Sequence, residues 1–411
     1  MTPRTLYRRG NFHRKGRKAH CSERNIRLRI VREASSLLGS GNMLRHWLGK
    51  SLSKLLVGVC AALACLPMTG TARARQDTPE PAVASGASCA NPAALFGFHS
   101  GFWVNLHHFL YAGAVAEASR NGPHPSRLEA EDTAPLQHLD TAEGSAWNAA
   151  IAYYERSVVS RDLLFDQGMG EIKNQLEDAG DSTDLAHTDI PAALKAVLLR
   201  AAPIYRKYWW TAQDARNHRW IAAVQPLVAA HGTAMCEALA NIYEQAWPAQ
   251  PVRVDVVGYA NWAGAYTTLD PVRTTVSSAL ASYQGQAALE MIFHEASHGM
   301  VDKLTAAMAD AEKALDNRRP GASSLVSKTL WHAVLFYTAG QLAARQMPGY
   351  VPYAEKNGLW QRAWPAPDRE LIARDWLPRI EGKVGLQQAA TTLVDDVAAH
   401  AKPSPGPAAA G

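Results

Sequence analysis

Between residues 92 and 247 the apolar positions of this chain recur at the three-and-four spacing of helices that bury one face. Residues 96–111 carry Phe, Trp and Leu in that rhythm, which predicts a buried helix running to about Ser119. Residues 121–136, rich in Pro, Ser and charge, predict a loop. Trp147, Ile151, Tyr154, Val158, Leu163 and Leu164 mark a helical stretch over about 141–177, interrupted at 167–170. Pro191 suits the first turn of a further helix, where its missing N–H costs nothing. Trp209, Trp210, Asp214, Asn217, His218 and Trp220 predict a packed corner between two helices, and residues 224–247 continue as helix until Pro248. His107 and His108 are sequence neighbours about 100° apart on a helix, so they suit the core better than a paired metal bite.

The period changes after Pro251. Residues 252–257 alternate like a strand, and residues 263–268 with 272–276 predict a hairpin turning at Leu269, Asp270 and Pro271. Helical spacing returns near 279–285 and meets no breaker until Asn317. A second helix, antiparallel to that one, is expected over about 324–345, after Pro320 and Gly321. Residues 350–364 look irregular, and 367–379 and 385–399 helical. The expected fold class is mainly α with a small antiparallel β-sheet, divided into a helical part at 92–248 and a second part at 249–400.

Composition changes this picture at the chain's beginning. With 411 residues and 47% hydrophobic content, the chain can bury a sizeable core. The formal charge of +5 suggests an anionic partner until it is located. Residues 1–42 hold 11 Lys and Arg against Glu23 and Glu33, and Arg45, Lys50, Lys54 and Arg73 follow, so everything after Ala74 is net negative. Nucleic-acid binding thereby loses its electrostatic motive. From Met43 a basic stretch, an apolar run at 55–66 and Thr71-Ala72-Arg73-Ala74 have the three regions of a secretory signal peptide over 43–74. The run is shorter than the roughly 20 residues of a membrane span, so no stable span is expected after cleavage and the product is expected in the periplasm or outside the cell. Cys65 follows Ala62-Leu63-Ala64, a poor match to a lipid-attachment site. Residues 1–42 have no place ahead of such a signal, which makes Met43 the expected initiator and the upstream leader a mis-assigned start. Residues 75–91 read as a flexible linker and 401–411 as a disordered Pro and Ala tail. Of five cysteines, Cys89 and Cys236 remain after cleavage, either as one disulfide or as two free thiols.

The candidate chemistry lies in the helix at 279–317. His294, Glu295 and His298 form His-Glu-x-x-His within an uncharged, proline-free run from Met291 to Met300. Four helical residues rise about 6 Å and turn slightly past one revolution, so the two imidazoles share a face and offer a zinc ion a two-point bite. Glu295, on the next face, is placed as a general base toward water rather than as a ligand.

This motif resembles the zincin signature, and the chain looks like a gluzincin-like zinc metallopeptidase over about 252–345. Residues 330–333 (Leu-Trp-His-Ala) and 336–340 (Phe-Tyr-Thr-Ala-Gly) are similar to segments of a group of uncharacterised bacterial secreted proteins. The resemblance implies a small sheet ahead of the catalytic helix, with an edge strand near Tyr266 that pairs with a peptide or protein substrate. It also implies Zn2+ as cofactor and a third ligand from the second helix. In gluzincins that ligand is Glu, and Gln341 stands at the corresponding place opposite His298 if the helix pair turns near Pro320. His332 is the better ligand chemically but points to nearly the opposite side in that register, facing about Ala307, unless the first helix breaks near 301–303. The third ligand is therefore His332 or Gln341. Asp302 lies too far along the helix from His294 to share an ion with it. Tyr337, one turn before Gln341, is a candidate for oxyanion stabilisation. The function expected is peptide hydrolysis; the alternative is a secreted metal-binding helical protein that has lost turnover, with Gln341 as the trace.

Overall fold

The computed structural model describes residues 89–118, 128–364 and 368–401. The segments read from the sequence as leader, signal peptide (with Cys65) and tail beyond residue 401, with nearly all of the expected 75–91 linker, lie outside the described residues. Among the described residues no helix is long and apolar enough to cross a membrane.

The chain is mainly α with one small sheet, and the sheet is mixed rather than antiparallel. Its strands are β1 (Phe96–His99), β2 (Val252–Val257), β3 (Ala265–Leu269) and β4 (Val272–Ser277), in the spatial order β1-β2-β4-β3. Only the predicted hairpin, β3 with β4, is antiparallel, with Leu269 opposite Val272 across a cis Asp270–Pro271 turn. β1 runs parallel to β2, from Phe96 beside Val252 to His99 beside Asp255, and β2 runs parallel to β4. Residues 96–99 are thus strand, not the first turn of a helix. Phe-Gly-Phe-His also alternates at period two, and pairing with a strand some 150 residues away settled an ambiguity that local spacing left open.

Helix α1 (Phe102–Ala118) begins where Asp181 Oδ1 accepts the Phe102 N–H at 2.9 Å. α2 (Thr141–Ser157) opens with a capping box between Asp140 and Glu143. The interruption falls at 158–166, earlier than expected, because Asp166 caps the start of α3 (Gln167–Ala179) by accepting the Met169 N–H. α4 (Ala192–Tyr205) and α5 (Thr211–Tyr243) do not meet at a corner: a π-helical turn, Arg206–Trp210, joins them into one rod. The extra residue of that turn turns Trp209 inward, where it stacks on Trp147 at 4.5 Å and donates to the Asp132 carbonyl. α5 ends at Tyr243, four residues before Trp247, with Glu244 left-handed at φ 53°. Cys89 and Cys236 are joined as a disulfide, Cα–Cα 5.6 Å, which fastens the chain ahead of β1 to α5.

Two cores flank the sheet. Tyr266, Val257 and Tyr259 pack with α1 to α4, while Phe96, Val252, Val254, Ala265 and Val276 pack with α5 and the C-terminal helices. β1 and α5 therefore belong to the second core, and the molecule does not divide at residue 248. Successive side chains of a strand point to opposite faces, so Tyr266 goes toward α1 and Thr267 toward the next helix.

Candidate metal centre

Helix α6 (Gln286–Ser297) carries the motif and is buried from Ala288 to Ser297. It does not run on to Asn317. Residues His298–Met300 form a 3-10 turn, Val301 leaves helical geometry at φ −109° and ψ 17°, and α7 (Asp302–Arg318) starts afresh. Gly299 weakens the helix there, and its carbonyl accepts from Gln245 Nε2 at 3.2 Å. A Cβ at Gly299 would stand 3.0 and 3.2 Å from the two methyls of Val272, so the hairpin nests directly against the break.

The break turns the remainder of the predicted first helix, α7, away from α6. α7 packs beside α10 (Leu386–His400), with Arg318 to Asp395 at 2.6 Å and Gln387 donating to the Ala307 carbonyl. Here α9 (Asp368–Asp375) precedes α10. α8 (Leu330–Gln346) pairs antiparallel with α6 instead: His298 meets Trp331 and His332, His294 stacks on Phe336 at 3.8 Å, and Glu290 lies beside Gly340. His332 Nε2 is 3.3 Å from His294 Nε2, and a nitrogen from each of His294, His298 and His332 lies within 4.8 Å of the others. The three ring centroids are 5.1 to 5.2 Å apart.

Two imidazole nitrogens on one tetrahedral zinc, each at about 2.0–2.1 Å, stand about 3.3 Å apart. The His294 and His332 nitrogens have that separation. The donor set also suits a metal. Burial and the neighbouring histidines His298 and His332 hold His294 well below its usual pKa, burial and His332 do the same for His298, and burial brings His332 to about 4. All three are thus neutral imidazoles with a lone pair to give.

Glu295 is buried on the adjoining face. Its Oε2 accepts from Thr267 Oγ1 at 2.8 Å, and burial raises its pKa to about 7 against the lowering effects of that hydroxyl and of Lys173. A carboxyl poised near neutrality is suited to taking and returning a proton.

Gln341 does not join this group. It follows His332 by nine residues on α8, which is about 13 Å along the axis and half a turn around it. The antiparallel register around Pro320 that favoured it assumed an unbroken first helix. Tyr337 is likewise turned elsewhere, with its ring against Trp360 and the Arg369 guanidinium 5.2 Å from its centroid. β3 is an edge strand beside α6, but the Tyr266 side chain lies on the far face and hydrogen-bonds His108 Nε2 at 2.8 Å. His107 bonds Tyr154, so both adjacent histidines are core groups that burial keeps neutral. Thr267 and Glu290 escaped the sequence reading. Thr267 is signalled only by its alternation with Tyr266, and Glu290 by standing one turn before His294.

Glu290 is fully buried; its Oε2 accepts from the Tyr350 hydroxyl at 2.6 Å and the Tyr353 N–H at 2.9 Å, and burial raises its pKa to about 7. It anchors the 347–353 segment to the helix that carries the histidines. No protein-family model, curated protein or solved structure matches this chain.

Proposed function

We propose that this protein is an exported zinc metallopeptidase of the zincin type, with His294, His298 and His332 as metal ligands and Glu295 as general base. One observation carries the reading: three neutral imidazoles gather with a nitrogen of each within 4.8 Å of the others, the His294–His332 pair at 3.3 Å, and a buried carboxyl stands on the adjoining helix face. A zinc ion at that point supplies Lewis acidity, polarising a carbonyl and acidifying water. Glu295 takes the proton of the attacking water and passes it to the departing amine. The open edge of β3, which Thr267 ties to Glu295, offers backbone pairing to an extended peptide.

Export accords with the signal-like segment at 43–74 and with a disulfide, which persists in oxidising compartments. The alternative of a metal-binding protein without turnover draws no support from Gln341, which lies away from the histidines. Incubating the zinc-loaded protein and its Glu295→Gln variant with a broad peptide library tests the proposal. Cleavage by the parent alone, with equal zinc in both, is expected; zinc in both and cleavage by neither refutes the enzyme and favours the binding protein.

A further inference from the structure

Glu295 is gripped from the sheet. Thr267, buried on β3, has its Oγ1 2.8 Å from Glu295 Oε2, 3.1 Å from the Glu295 carbonyl and 3.0 Å from Oγ1 of Thr274, its cross-strand neighbour on β4. A hydroxyl has one proton to give. Ionised carboxylates and carbonyls only accept, so the Thr267 proton goes toward Glu295, and the short contact to the charged oxygen is the stronger one. Thr274 then donates to the lone pair of Thr267, which gives the pair of hydroxyls a single direction. Among the described residues no protein donor reaches Glu295 Oε1. One carboxylate oxygen is fixed and the other is left free for a proton.

We propose that Thr267 is a positioning residue for Glu295, holding Oε2 so that Oε1 faces the reacting water. This rests on the peptidase reading above. The hairpin then has two tasks, since β3 presents its edge to substrate while its inward hydroxyl aims the base. Thr267→Val keeps the β-branched shape and the buried packing but deletes the proton, whereas Thr267→Ser keeps the proton and loses a methyl.

The test compares both variants with the parent for kcat, KM and bound zinc on one cleaved peptide. Thr267→Val is expected to lose about tenfold or more in kcat, with KM and zinc content unchanged, because a misplacement near 1 Å costs up to about 10²-fold. Thr267→Ser is expected to stay within about threefold of the parent. Parental kcat in the Val variant overturns the inference, and so does an equal loss in both variants, which marks a packing role. A second readout needs no turnover. In the metal-free protein Thr267→Val should lower the urea midpoint more in the parent background than in Glu295→Ala, and equal shifts in the two backgrounds overturn the inference even if no peptide is cleaved.

Discussion

Gly299→Ala strikes the break on which the site depends. The new Cβ would meet the Val272 methyls at 3.0 and 3.2 Å, where carbon atoms prefer about 3.5–4.0 Å. Val272 is β-branched and stiff at χ1, and it sits at the first position of β4, paired with Leu269, so it cannot simply swing aside. Overpacking of this kind costs about 1–3 kcal/mol, and replacing glycine in a helical turn returns about 0.5–1 kcal/mol. The net expectation is a loss of about 1 kcal/mol, and up to about 2.5 kcal/mol where Val272 does not yield, read as a lower urea midpoint in the metal-free protein. The same push displaces His298 from His332, so zinc affinity should fall by about tenfold or more in a chelator competition. Val272→Ala removes the obstructing methyls, and in that background Gly299→Ala should cost little in either assay. A Gly299→Ala protein with parental stability and zinc affinity, or one that loses as much in the Val272→Ala background as in the parent, would refute the claim that the hairpin holds the break.

Two further outcomes separate the residues involved. His332→Ala should weaken zinc binding by more than the 10- to 100-fold typical of groups that only support a ligand, while Gln341→Ala leaves it unchanged; chelator competition reads both, and the reverse pattern would restore Gln341 as the ligand. Glu290, raised from 4.5 to about 7, stays protonated in the fold at a pH where the unfolded chain has released its proton, so its contribution to stability is present below pH 4.5 and lost as pH rises through 7. Relative to Glu290→Gln, the metal-free parent should lose about 2 kcal/mol between pH 5 and pH 8 in urea titrations, and parallel pH profiles would contradict the assignment.

The parts of this molecule that were legible in the sequence are those set by neighbouring residues. His294 and His298 share a face because four residues nearly close a turn, and Leu269-Asp270-Pro271 stands between two strand-like runs, 263–268 and 272–276, as a hairpin turn does. What was not legible depended on distant partners. Phe96 to His99 become strand because β2 lies beside them, and the sheet is parallel there because the chain returns through α1 to α5. Which of His332 and Gln341 comes to lie beside His294 and His298 turned on a break at His298 to Val301 that only Gly299 hints at and against which Val272 and Gln245, from other elements, pack. Thr267 carried no signal in isolation, since its role needs α6 packed beneath the sheet.

The most direct measurement is a crystal structure of the zinc-soaked protein with anomalous data at the zinc edge. The account predicts one peak bonded at about 2.0–2.1 Å to His294, His298 and His332, with a fourth position open toward Glu295. A peak that lacks His332, or no peak between the histidines at a zinc concentration that fills other sites, would contradict it.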